Sequence, residues 1–311
     1  MSLSISRRSA LMGGAALPLA AATASSVLAD AHSPAPAAMP HARSFTLGNF
    51  GVTTLLDGTG PRDNLQEMFA EGVDDATFAE VSANNFISPE VAQNYITPTL
   101  VDTGADTVLF DTGLGRGGIA KALADAGKTP EDVTIVVLTH MHPDHIGGLM
   151  TEGAPTFPNA RYVAGSVEYD AWKAMGENRI TTLMASNVDP LLEKLTFIGD
   201  GEDVVTGVTA MAAFGHSPGH MTYLIDSDGQ RLVLTADLAN HYVYAFQDPD
   251  WGFKFDADKA AAAASRRRVL EMLASEKIPM IGYHLPFPAA GFVEPRDSGF
   301  RFVPVTYQMM G

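Results

Sequence analysis

No cysteine occurs in the 311 residues. Disulfides, thiolate nucleophiles and thiolate metal ligands are therefore excluded, and any metal must sit on histidine and carboxylate. Basic side chains are also scarce, with 20 Lys and Arg against 36 Asp and Glu, a formal charge of −16. Such a surface repels polyanions, which excludes nucleic acid, anionic headgroups and highly phosphorylated substrates, because their binding depends on Lys and Arg neutralising phosphates. A long apolar run is missing too: Ser9–Leu28 is interrupted by two glycines, a proline and several Ser and Thr, and no later stretch is long enough to span a bilayer. A small neutral or weakly charged molecule remains as substrate, and a homodimer stays open.

A hydrophobic content of 46% permits a well-buried core. The first residues differ from the rest. Ser6-Arg7-Arg8 precedes a run rich in Ala, Gly, Leu and Met that closes at Ala29-Asp30-Ala31, an A-x-A-like cleavage site. Residues 1–31 resemble a twin-arginine export signal, with Ala10 where an aromatic usually stands. The expected location is periplasmic or secreted, with no membrane contact after cleavage. Removing the signal leaves 18 basic against 35 acidic side chains. Residues 32–42, H-S-P-A-P-A-A-M-P-H-A, read as a flexible linker in which His32 and His41 are solvated. Residues 43–311 read as a single domain.

From Phe45 the pattern turns to short β-rich runs: S-F-T-L-G-N-F-G-V-T-T-L-L before a D-G turn, then Y-I-T-P-T-L-V-D and D-T-V-L-F-D-T-G. Residues 63–83 have helix-like spacing and are expected as an insertion over the sheet. After Gly118 a helix, I-A-K-A-L-A-D-A-G, leads to a buried strand, V-T-I-V-V-L. The second half repeats the theme with R-Y-V-A-G-S, a helix near Val167–Met175, the hairpin T-Y-L-I-D-S-D-G-Q-R-L-V-L, a helix through K-A-A-A-A-A-S-R-R-R-V-L-E-M-L-A, and the strand I-P-M-I-G-Y-H. Each half reads as sheet covered by helix, which predicts one four-layer αββα sandwich with a site at the seam.

The buried strand runs into T-H-M-H-P-D-H-I-G-G, residues 139–148, which holds three of the nine histidines. Chance placement is a poor explanation. On a loop off a strand end, His140 and His142 can bind one ion while Asp144 and His145 bind a second, since imidazole and carboxylate reach zinc at about 2.0–2.2 Å and must crowd together. Further ligands are needed, and His216 in F-G-H-S-P-G-H, Asp237 in L-T-A-D-L and His284 in I-G-Y-H-L-P each follow an apolar run. Singly, each reads as a buried residue satisfied by backbone hydrogen bonds. Beside the cluster, they read as ligands.

This pattern resembles the metallo-β-lactamase fold superfamily of metal-dependent hydrolases, whose signature is H-x-H-x-D-H followed by separated His, Asp and His. D-T-G at 111–113, G-H-S-P-G-H, T-A-D-L and the ending G-F-R-F-V-P-V-T-Y resemble its methyl parathion hydrolase branch and the lactonase relatives. The resemblance implies that His140, His142 and His216 hold one divalent ion, that Asp144, His145 and His284 hold the other, and that Asp237 bridges them. It implies zinc first, with manganese, iron or cobalt as alternatives. It also implies that Asp111 orients a ligand histidine, that His220 has a supporting role, and that Asp144 and Asp237 serve catalysis.

Within the superfamily, His142 stands where flavodiiron reductases have Glu, and the absence of cysteine excludes the cysteine-ligated β-lactamases. The acidic surface disfavours RNA-processing and glutathione-dependent members. A dinuclear hydrolase of a small ester or lactone is expected, with phosphotriesters as the alternative and a non-catalytic metal-binding scaffold as the reading of another class. Trp172, Phe246, Trp251 and Phe287 are candidates for apolar pocket walls. Arg116, His241 and Tyr242 are candidates for polar contacts to the substrate.

Overall fold

The computed structural model describes residues 40–305. The export signal and residues 32–39 of the linker lie outside the described residues. The linker's end is more ordered than its Pro/Ala composition suggested, because Ala42 already opens the strand Ala42–Leu47 and pairs with Leu55. His41 is not a solvated tail residue. Its Nδ1 lies 3.0 Å from Asp125 Oδ2 and its carbonyl accepts from Leu56 N, since the strand pairing continues back to it.

Two seven-stranded sheets form the centre. The first runs Ala42–Leu47, Phe50–Leu55, Thr99–Asp102, Thr107–Phe110, Ile135–Leu138, Arg161–Gly165, Leu195–Ile198. It is antiparallel as far as Thr107–Phe110 and parallel beyond. The second runs Asp203–Val205, Val208–Ala212, Met221–Ser227, Gln230–Ala236, Met280–Gly282, Ala290–Arg296, Gly299–Pro304, with a parallel pairing between Gln230–Ala236 and Met280–Gly282.

Runs such as I-V-V-L are apolar throughout because both faces of their sheet are covered. Ile135 and Val137 join the core that also holds Tyr223 and Ile225 of the second sheet. Val136 and Leu138 point the other way, into a core shared with Ile119 and Leu123 of the helix Gly118–Asp125 and Met184 of the helix Arg179–Asn187. The helix Lys259–Glu276 covers the second sheet through Val269, Leu270 and Leu273, and Asp258 caps it by accepting from Ala261 N at 3.0 Å. The result is an αββα sandwich. No helix among the described residues is long and apolar enough to cross a membrane.

The stretch 63–83 is two helices, Leu65–Phe69 and Asp75–Asn84, rather than one. Gly72 with φ 84° breaks the run, and Asp74 starts the second helix by accepting from Thr77 N at 3.0 Å. The run Y-I-T-P-T-L-V-D is likewise divided. Val91–Ile96 forms a separate two-stranded antiparallel sheet with Gly58–Asp63, whereas Thr99–Asp102 joins the first sheet, and Pro98 between them cannot donate to either ladder. Leu65, Phe69, Phe78 and Val81 pack on Val243, Tyr244 and Phe253 in a third core. Residues 58–96 thereby build a roof beside the strand ends that carry the histidine motif.

Candidate metal centre

Each ligand position leaves the end of a strand. His140 and His142 follow Ile135–Leu138, and the short helix Pro143–Ile146 turns Asp144 and His145 back towards them. His216 lies between Val208–Ala212 and Met221–Ser227, Asp237 follows Gln230–Ala236, and His284 follows Met280–Gly282. Ala236 has φ 45° and Asp111 φ 61°, left-handed values that non-glycine residues adopt at a cost of about 1–3 kcal/mol each. Both strained residues stand where a carboxylate must turn into the seam.

His140, His142, His216 and Asp237 bring their ligand atoms within 4.8 Å of one another, and Asp144, His145 and His284 do the same. Asp237 joins the two groups. Its Oδ2 is 3.3 Å from His216 Nε2 and 3.2 Å from His284 Nε2, and its Oδ1 is 3.2 Å from His145 Nε2. His140 Nε2, His145 Nε2 and Asp237 Oδ1 are buried without a hydrogen-bond partner. An unpaired buried polar atom costs about 1–3 kcal/mol. Two divalent cations would satisfy these atoms, and a set of imidazoles and carboxylates without thiolate suits zinc and its neighbours.

The outward-facing nitrogens fix the ring orientations. His140 Nδ1 lies 3.0 Å from Thr139 Oγ1, His145 Nδ1 2.8 Å from Asp111 Oδ2, His216 Nδ1 3.0 Å from Asp256 Oδ1 and His284 Nδ1 2.7 Å from the Tyr95 carbonyl. With Nδ1–H donating outwards, all four present Nε2 inwards. His142 is the exception, because its Nδ1 approaches His216 Nε2 at 3.0 Å.

Three buried carboxylates hold this arrangement. Asp111 accepts from Thr139 N at 2.9 Å and Thr139 Oγ1 at 2.8 Å while it meets His145, so it positions His145 directly and His140 through Thr139. Asp256 meets His216 on one oxygen and Arg266 Nη2 at 3.1 Å on the other; Arg266, 1% exposed, also donates to the carbonyls of Leu238, Pro249 and Trp251. Glu168 accepts from Met141 N at 2.9 Å, Trp172 Nε1 at 2.7 Å, and Ser217 Oγ and Gly219 N at 2.7 Å each. It ties the H-M-H loop to the H-S-P-G-H loop. Gly219 is required there, since a Cβ would stand 2.2 Å from Glu168 N.

His220 braces Asp237: its Nε2 accepts from Asp237 N at 3.1 Å and its Nδ1 is 3.2 Å from the Ala213 carbonyl. Asn240 Nδ2 donates to Asp237 Oδ2 at 2.9 Å. Electrostatics divide the histidines. Burial, reinforced by neighbouring imidazoles, holds His140 and His142 well below the usual imidazole value, and brings His220 to about 3. Burial also works against a charge on His216, but hydrogen bonds and charge from Asp237 and Asp256 outweigh it and lift His216 to about 9. Burial opposes ionisation of Asp237, yet His284 and His145 hold it well below the usual carboxylate range.

The centre opens on a cleft of about 730 Å³ whose walls include Phe69, Ile96, Leu114, Ile180, Phe253 and Phe255, with His142, Asp144, His216, Asp237 and His284 at its floor. The expected aromatic walls are elsewhere. Phe246 is fully buried against Phe302, Trp251 stacks on Phe78 and Tyr244, and neither they nor Phe287 line the cleft. Trp172 serves Glu168 instead. His241 and Tyr242 do not reach the cleft either: His241 Nδ1 accepts from Val243 N at 3.1 Å and Tyr244 N at 3.3 Å, and its ring packs among Phe69, Tyr242 and Tyr244. Burial lowers His241 to about 3, as befits an acceptor. Sequence reasoning missed Asp57, Glu168, Asn240, Asp256 and Arg266.

An αββα sandwich whose strand ends gather five imidazoles and two carboxylates into adjoining clusters defines a class of dinuclear metalloprotein. The model of the metallo-beta-lactamase superfamily matches residues 93–281, and the chain belongs to that superfamily. An N-acyl homoserine lactonase of Bacillus cereus is 33% identical over 161 residues, which is 51% of this chain and 58% of the relative. The match therefore spans less than two thirds of that relative's length. The structure of AidC, a dizinc quorum-quenching lactonase with a product bound, is 30% identical with a TM-score of 0.80, covering 86% of this chain and 99% of that one. The hydrolase AbOPH, at 23% identity and a TM-score of 0.77 over 86% of this chain and 99% of its own, shares the fold.

Proposed function

We propose that the chain is a dinuclear metal-dependent hydrolase that opens a lactone or cleaves a small ester, with zinc as the favoured metal. The carrying observation is Asp237, within 3.3 Å of imidazoles from both clusters, at the floor of an open cleft. The likeness to AidC over nearly all of that protein supports the lactone. His140, His142 and His216 would hold one ion, Asp144, His145 and His284 the other, and Asp237 both. When bound, such a pair supplies Lewis acidity and makes water a nucleophile near neutral pH.

The chain's own groups do the remaining work. Nδ1–H donation to Thr139, Asp111, Asp256 and the Tyr95 carbonyl keeps four imidazoles from rotating. Asn240 and His220 hold Asp237 from its side chain and its backbone. Asp144, with 20% of its side chain exposed at the cleft floor, is placed to pass a proton to the leaving group. Phe69, Phe253 and Phe255 offer an apolar wall to an acyl chain and make phosphotriesters the second class to test. We also propose export through the twin-arginine-type signal at Arg7-Arg8, which amino-terminal sequencing of the periplasmic fraction checks.

Zinc-loaded protein assayed on N-acyl homoserine lactones, aryl esters and aryl phosphotriesters tests the reading. Lactone turnover well above the other two is expected. Phosphotriester preference would move the assignment to the second class, and no turnover on any would leave a metal-binding scaffold.

A further inference from the structure

Three arginines reach the cleft from separate elements: Arg62 from the strand Gly58–Asp63, Arg116 from the loop before the helix Gly118–Asp125, and Arg179 from the first turn of Arg179–Asn187. Nine other Lys and Arg each pair with a carboxylate. Among the described residues these three have no such partner, which they share with Arg43, Lys121, Arg161, Lys194, Arg268 and Lys277, but only these three line the cleft, in a chain with 36 acids to 20 bases. The facing acids are Asp57, Asp144 and Asp237. Asp144 and Asp237 belong to the metal clusters, where two cations would offset their charge, and Asp57 Oδ2 accepts from Leu114 N at 3.0 Å beneath the loop that carries Arg116. With both ions bound, the open volume would carry net positive charge on a protein that is otherwise strongly anionic. A cleft of one sign with low-dielectric walls concentrates ligands of the other sign, and the guanidinium fork matches a carboxylate.

We propose that this cleft selects substrates bearing a carboxylate away from the bond that is cleaved, with Arg62, Arg116 and Arg179 as the anion subsite. The inference rests on the hydrolase reading and replaces its neutral substrate with an anionic one. The test compares mono-4-nitrophenyl glutarate with 4-nitrophenyl pentanoate, alike except for the distal carboxylate. The glutarate ester should show a kcat/KM about tenfold higher, mainly through KM, and added salt should erode the advantage. In the triple variant Arg62→Gln/Arg116→Gln/Arg179→Gln, with metal content checked, the ratio should fall to about one. A parent ratio of one or less, or a ratio unchanged in the variant, overturns the proposal. Should neither ester be hydrolysed, the lactone assay alone bears on the hydrolase reading, and calorimetric titration of the zinc-loaded protein with glutarate decides the subsite: binding lost in the variant supports it, and binding that is absent, or unchanged in the variant, refutes it.

Discussion

The floor and the roof of the cleft are held in different ways. The floor rests on carboxylates that are almost wholly buried, Asp111, Glu168 and Asp256, each shared between two or more donors. The roof adheres through the apolar cluster of Leu65, Phe69, Phe78 and Val81 and through the exposed ion pairs Glu67–Lys254 and Glu71–Lys259. Exposed pairs contribute about 0–1 kcal/mol each. Rigidity is thus concentrated where ligand atoms must meet, and the region facing the substrate is left adjustable. A single hydrogen bond, His284 Nδ1 to the Tyr95 carbonyl, carries roof position directly to a ligand.

Breaking the floor should have the largest effect. Asp256→Ala frees His216 and leaves Arg266 as an unpaired buried charge, so stability should drop by about 3–5 kcal/mol and metal affinity by about 10–100-fold. Denaturant melts and competition with a chelator check both, and changes below about 1 kcal/mol would show that the Asp256–Arg266 pair does not support the centre.

A second, smaller effect concerns pH. In ion-free protein His216 is raised from 6.5 to about 9, so the stability it lends is complete below pH 6.5 and is lost as pH rises through about 9. Thermal melts of chelator-treated protein should decline over that window. Melts of the ion-loaded protein should not, because the ion binds the unprotonated imidazole. A flat ion-free profile would remove the claim that Asp237 and Asp256 charge this histidine.

Trimming the cleft edge should have the smallest effect. Phe255, 48% exposed at the cleft edge, contributes wall area but no polar tie. Phe255→Ser should raise KM for long-chain acyl substrates about fivefold, on the order of 1 kcal/mol of lost apolar contact, and shift stability by less than about 0.5 kcal/mol. Loss of bound metal in this variant would mean that the cleft wall and its floor are not separable.

The floor was legible in the sequence because its chemistry is contiguous. T-H-M-H-P-D-H-I-G-G places four ligands on one loop, and the remaining three each stand at the end of an apolar run. The supports were harder to read, since Glu168 ties together loops 27–51 residues away and Asp256 acts on partners 10–40 residues away. One signal was available: Ala262, Arg266, Val269, Leu270 and Leu273 share a helical face, and an arginine on an apolar stripe implies a buried partner. The roof was read as one helical insertion because short helices lack a sustained period, and the break at Gly72 is visible only in its backbone. His241 and Tyr242 were misplaced because nearness to Asp237 in the chain says nothing about which way a loop turns.

The central claim is that one carboxylate serves two ions, and elemental analysis of reconstituted Asp237→Ala beside the parent tests it most directly. Two divalent ions per parent chain, one or none in the variant, and activity lost with them are expected. A variant that keeps both ions and full turnover would contradict it.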